Sequence, residues 1–160
     1  MRYPSLLGAI AIILWTVVTA GSQTPVAALP DSLRAHLKED RFGIVTSVRG
    51  LPLGVRDELQ TLFRSAVLDI ADPGAAFRAT GVMEPDLPTR RLVMAACSID
   101  RCLVYYERGG NAHTWHVALF HWTPAATRFE FGGIAPGGLR TTAAVRNAML
   151  TGAIKSSNSW

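Results

Sequence analysis

Two cysteines, two nearby histidines and a short polar loop are the side chains of this 160-residue chain whose types and spacing could carry chemistry. Cys97 and Cys102 are its only cysteines, and they bracket Ser98, Ile99, Asp100 and Arg101. Behind an export signal, thiols this close are most simply one disulfide. A ring of about six residues stabilises by roughly 2 kcal/mol in the chain-entropy model, so such a bond shapes a loop rather than holding a fold together. A stiffened, exposed loop has lost its ordering entropy before binding, which suits insertion into another protein's cleft. The plainer alternative is a hairpin staple with no binding role.

With His113 and His116 the cysteines spell C-x4-C-x10-H-x2-H, the outline of a zinc site. Residues three apart on a strand face opposite sides, so no metal is expected there unless a bulge intervenes. His113 and His121 share a face with Trp115, Val117 and Leu119, but lie roughly 26 Å apart along a strand and are no catalytic pair. His116, Phe120 and Trp122 take the other face, where a histidine among aromatics is expected to be packed and hydrogen-bonded. Ser47 and Ser98 lack a surrounding nucleophile motif, and no two carboxylates are set across a cleft by spacing. Gly109-Gly110, Gly132-Gly133 and Gly137-Gly138 lack a following Lys-Ser/Thr or a βαβ setting, and read as turns. The expectation is therefore a protein that is not an enzyme and takes no cofactor.

Arg2 followed by the apolar run Leu6 to Ala20, with Val18-Thr19-Ala20 before Gly21, has the layout of a secretory signal peptide over residues 1–20. Val26-Ala27-Ala28 offers a second cleavage site. The run is about five residues short of a comfortable membrane span, so no membrane attachment is expected after cleavage. Residues 21–160 suit a single domain with a real core. Losing Arg2 lowers the net charge from +4 to +3. The arginines are scattered, apart from Arg90-Arg91, which speaks against nucleic-acid binding.

Asp31 and Ser32 are placed to cap a short helix through Leu33 and Leu37 that ends by Gly43. A second helix begins near Gly54, its apolar stripe Val55, Leu59, Leu62 and Phe63. Asp72-Pro73-Gly74 and Met83 to Pro88 are turn chemistry, leaving Phe77 to Thr80 as a predicted short strand. From Arg90 the period becomes two. Leu92, Met94 and Ala96 alternate with Val93, Ala95 and Cys97, and Leu103–Glu107, Thr114–Trp122 and Thr127–Phe131 follow across short turns. Tyr105, Tyr106, Trp115 and Trp122 are expected to divide between the two faces of this sheet. Thr141-Thr142 then offers an N-cap to a helix carrying Val145, Ala148 and Met149 and ending near Gly152. The fold class is α+β: a single antiparallel sheet of about five strands flanked by helices.

The stretch Leu92 to Cys102 resembles the strand and loop of the inhibitor of vertebrate lysozyme family, periplasmic proteins whose loop reads Cys-Lys-Pro-His-Asp-Cys after a Val-Met-x-Ala lead-in. Val117-Ala118-Leu119-Phe120 falls where that family has a Gly-Leu-Phe strand, and Ala148 to Ile154 resembles its closing helix ending in Leu-Thr-Gly. Val55 to Phe63 would be its amphipathic helix. The resemblance spans about the last seventy residues, and the N-terminal half in outline.

It implies a Cys97–Cys102 disulfide, a periplasmic or secreted location, and a loop of Ser98, Ile99, Asp100 and Arg101 that plugs a lysozyme cleft. In the family a loop histidine enters between the two catalytic carboxylates; here Asp100 holds that position and Arg101 the next. A carboxylate driven between carboxylates is repelled, whereas a guanidinium pairs with them. The expected partner is thus a protein, either a host lysozyme or the cell's own lytic transglycosylase, with self-association as a homodimer left open. The alternative is the same fold binding another envelope protein or ligand.

Overall fold

The computed structural model describes residues 28–81 and 86–160. The predicted signal, residues 1–20, lies outside them, as does part of the Met83–Pro88 turn. In chain order the elements are α1 (Asp31–Glu39), β1 (Gly43–Val45), α2 (Leu53–Phe63), β2 (Arg90–Cys97), β3 (Arg101–Arg108), β4 (Thr114–Trp122), β5 (Thr127–Ala135) and α3 (Thr142–Leu150). The strands pair in sequence order as one five-stranded antiparallel sheet. The α+β expectation holds.

Helices cover both faces of the sheet. Leu33 and Leu37 of α1, with Val145, Ala148 and Met149 of α3, pack on Leu103, Tyr105, Val117 and Leu119. Val55, Leu59 and Phe63 of α2 pack on the reverse, against Val104, Tyr106, Ala118 and Phe120. Tyr105 and Tyr106 are both fully buried, and the two faces divide the aromatic residues as expected. The Val55–Leu59–Phe63 stripe is buried, with Leu62 at its margin. α1 and α3 brace one another: Arg34 donates to the Leu150 carbonyl at 3.0 Å and Arg146 to the Leu37 carbonyl, each satisfying a carbonyl near the other helix's end. Thr141 caps α3, its hydroxyl accepting from the Ala144 amide at 3.1 Å.

Three local expectations are corrected. The cap of α1 is Pro30, which makes no side-chain bond; Asp31 is already helical, where its carboxylate suits the positive end of the helix dipole. Phe77 to Thr80 is no strand. Instead Ala71 bridges in parallel to Arg91: its amide donates to the Arg90 carbonyl and its carbonyl accepts from the Leu92 amide, both at 2.9 Å. Phe77 turns inward, with the Arg91 guanidinium 4.4 Å over its ring. β1 covers the other half of that edge, pairing Gly43 to Cys97 and Val45 to Ala95. Finally, an irregularity between Leu92 and Met94 breaks the alternation of β2. Leu92 and Ala95 therefore share the α2 face, while Val93 and Met94 share the other, as one inserted residue reverses every later side chain.

Candidate functional site

The β2–β3 turn places all four loop residues in one tight hairpin. Cys97 and Cys102 are direct cross-strand partners joined by a disulfide, their Cα atoms 4.1 Å apart. Beyond them the Ser98 amide donates to the Arg101 carbonyl at 2.7 Å, and the Arg101 amide to the Ser98 hydroxyl at 3.1 Å. Ile99 and Asp100 form the tip. The Asp100 carbonyl accepts from the Trp122 amide at 3.0 Å, binding the tip to the end of β4. Ser98 Oγ lies 3.3 Å from an Asp40 oxygen just past α1, and His36 Nδ1 lies 3.3 Å from the same carboxylate. The tip is held by the staple, the sheet and α1 together.

The four loop side chains are displayed very differently. Ile99 is 92% exposed. The Asp100 side chain is one-third exposed, whereas that of Arg101 is only 10% exposed. Arg101 NH1 lies 2.5 Å from Asp100 Oδ2, and its Nε 2.9 Å from Glu130 Oε2. The second contact is electrostatic, since the N–H is not aimed at the oxygen. Arg101 is thus an internal counter-ion, and the face offered to a partner is Ile99 with the outer edge of Asp100.

Glu130 carries no spacing signal in the sequence. Phe131 pairs with Leu119 and Phe129 with Phe120, so Glu130 is the extra residue of a bulge in β5. The bulge sends Phe129 and Phe131 to opposite faces and leaves the Glu130 carboxylate beside Arg101 and Arg128.

His36, Asp40 and Asp100 offer donor atoms within 4.8 Å of one another, a grouping that could hold a cation. Asp100 already faces Arg101, and Asp40 already meets His36 and Ser98. The order is serine, aspartate, histidine, so the imidazole is not set to take the Ser98 proton, as activating a hydroxyl nucleophile requires.

The histidines of β4 and the turn before it are separated as expected. His113 stacks on Trp115 at 4.5 Å and pairs with Glu107 at 2.8 Å. His116 lies on the other face, 1% exposed, stacked on Tyr106 at 5.3 Å and bonded through Nε2 to the Thr114 hydroxyl at 2.9 Å. Burial first, then the positive charges of Arg108 and Arg90, push its pKa down to about 4, so it is neutral at ordinary pH.

No helix among the described residues is long and apolar enough to cross a membrane. No family model, curated protein or solved structure matches this chain. The function therefore rests on the geometry and the loop sequence.

Proposed function

We propose that this chain is an exported protein-binding inhibitor that presents its Cys97–Cys102 hairpin tip to the cleft of a muramidase. The observation that carries the reading is Ile99, 92% exposed at the end of a stapled turn. A bare isoleucine is stabilised by burial in a partner, by about 2 kcal/mol for full transfer from water. The turn is ordered before contact, so little conformational entropy is lost on docking. The Val-Met lead-in and cysteine spacing that resemble the lysozyme-inhibitor family supply the choice of partner.

One observation favours a second reading, the same scaffold serving another envelope ligand. With Arg101 turned inward, the charge at the tip is the Asp100 carboxylate, and an acidic cleft repels it. Lysis of a peptidoglycan suspension by several lysozymes separates the two. The inhibitor reading expects slower lysis with the wild type in excess, loss of that effect in Ile99→Asp, and a stronger effect in Asp100→His. Inhibition appearing only in Asp100→His establishes the second reading. If neither protein slows any muramidase, the plug reading fails.

A further inference from the structure

The end of the sheet opposite the hairpin tip holds a cavity of about 500 Å³ with a concentrated positive charge. Its walls bring together Arg64 after α2, Arg78, Arg90 at the start of β2 and Arg108 at the end of β3. Asp69 is the one carboxylate among its described lining residues. That carboxylate is fully engaged: one oxygen accepts from the Thr89 amide at 2.8 Å, and the other lies 2.5 Å from Arg90 NH1 and also meets the Thr89 hydroxyl. Among the described lining residues, four guanidiniums against one carboxylate leave three positive charges unmatched.

Arg90 anchors this group. It is 6% exposed, its guanidinium lies 4.1 Å over the Phe63 ring, NH2 donates to the Trp160 carbonyl, and Nε is buried without a partner. Arg64 and Arg78 make no side-chain hydrogen bond or ion pair with any described residue, and Arg108 has one contact, 3.3 Å from the Ser159 hydroxyl. The β3–β4 turn closes against the Arg78 segment because position 109 is glycine; a Cβ there would strike the Arg78 carbonyl. Burial disfavours the Arg90 charge and Arg108 repels it, against the pull of Asp69. Like charges converging in a concave, low-dielectric site focus their field outward and attract an anion.

We propose that this cavity binds a ligand bearing two adjacent phosphate groups, held by Arg64, Arg78 and Arg108 over the fixed guanidinium of Arg90. A guanidinium fork matches phosphate oxygens two at a time, and a diphosphate supplies about as many negative charges as the site leaves unmatched. A monocarboxylate supplies one. The diphosphate belongs either to a soluble molecule or to a lipid headgroup. The site is separate from the hairpin tip and does not depend on what the tip binds.

The test is titration of the isotope-labelled protein with inorganic pyrophosphate at physiological salt, read by amide NMR. Saturable shifts at Arg90, Gly109, Gly110 and Asn111, with a dissociation constant of about 1 mM or tighter, are expected. The double variant Arg78→Gln/Arg108→Gln should bind at least tenfold more weakly, with Arg49→Gln, which lies outside the cavity, binding as wild type. Both cavity positions are at least partly exposed, and an unchanged urea midpoint verifies the variant's fold. Citrate, of similar charge but without phosphorus, should bind at least tenfold more weakly than pyrophosphate. Flotation with phosphatidylcholine vesicles containing diacylglycerol pyrophosphate assigns the source. Pyrophosphate-competed retention of the wild type marks a headgroup; pyrophosphate binding without retention marks a soluble ligand. Absence of pyrophosphate shifts, shifts centred on Ile99, equal binding by the double variant, or equal binding of citrate overturns the proposal.

Discussion

The two ends of the β2–β3 hairpin both carry arginines and treat them in opposite ways. At the turn, Arg101 sits between the carboxylates of Asp100 and Glu130. At the open end, four arginines share a cavity with one carboxylate among the described residues, already bonded to Arg90 and Thr89. A charge matched inside the protein orders what surrounds it and is withdrawn from partners; a surplus charge contributes little to the fold and remains available. The tip is thus left with an apolar anchor, and the open end with an electrostatic one.

The largest effect expected is one of pH, because His116 is buried, with the arginines of the open end adding to the effect. The unfolded chain binds a proton on His116 near pH 6.5, whereas in the folded chain burial, with Arg108 and Arg90, delays it to about 4. Between those values the unfolded state holds more protons, so stability falls as pH is lowered through this window. The full loss from this group is about 3 kcal/mol. Urea midpoints at pH 7, 5.5 and 4 should show a steeper fall for wild type than for His116→Phe, in which the shared contribution of the carboxylates cancels. Parallel slopes would mean that neither burial nor the arginines holds the His116 pKa down.

Next in size is the matched arginine. Arg101→Ala leaves Asp100 and Glu130 without their common cation, at a cost of about 2–3 kcal/mol, below the range for fully buried pairs because Arg128 still meets Glu130 and Asp100 is partly solvated. The same truncation at Arg78 should change stability by no more than about 0.5 kcal/mol, as for a surface side chain without partners. Equal costs, measured by urea unfolding, would collapse the contrast between the two ends.

Replacing both Cys97 and Cys102 by serine should cost about 2 kcal/mol, since so small a ring excludes few unfolded conformations. Binding through the tip should weaken more than stability does, because an untied turn must be ordered during association. The comparison is between the unfolding midpoint and inhibition of peptidoglycan lysis. Losses of equal size in the two would make the bond a structural staple alone.

The smallest effect sharpens the picture of the tip. Ile99→Ala should leave the unfolding midpoint within about 0.5 kcal/mol of wild type, because the side chain is already in water. A larger drop would place Ile99 in the fold rather than at its outer surface.

Much of this was legible along the chain, and the rest was not, for one physical reason. Val55, Leu59 and Phe63 recur at the helical period, the strands from Arg90 onward alternate at period two, and Thr141 stands three residues before the amide it caps. Those signals depend on neighbours a few residues away, as does the pairing of two cysteines in one short turn. β1 is three residues long and exists because the edge of β2 is there to receive it. The same holds for Ala71, which bridges to Arg91 at that edge although the expected short strand was Phe77 to Thr80. The bulges in β2 and β5 are set by how the paired strands fit, and no local pattern announces them.

For the functional surfaces the division is sharper. Sequence alone determined the α+β class, the antiparallel meander and the stapled loop Ser98 to Arg101, since each follows from short-range periodicity or spacing. Only the tertiary structure decided which loop residue faces outward. Arg101 and Asp100 are adjacent in the chain, and the direction of the guanidinium was set by Glu130, a residue twenty-nine positions away brought in by a bulge. Likewise Arg64, Arg78, Arg90 and Arg108 are scattered singly along the chain, apart from the Arg90-Arg91 pair, and become one cavity only where α2, β2 and β3 end together. Charge is a local property of a residue, but a field is a property of where the fold brings its charges.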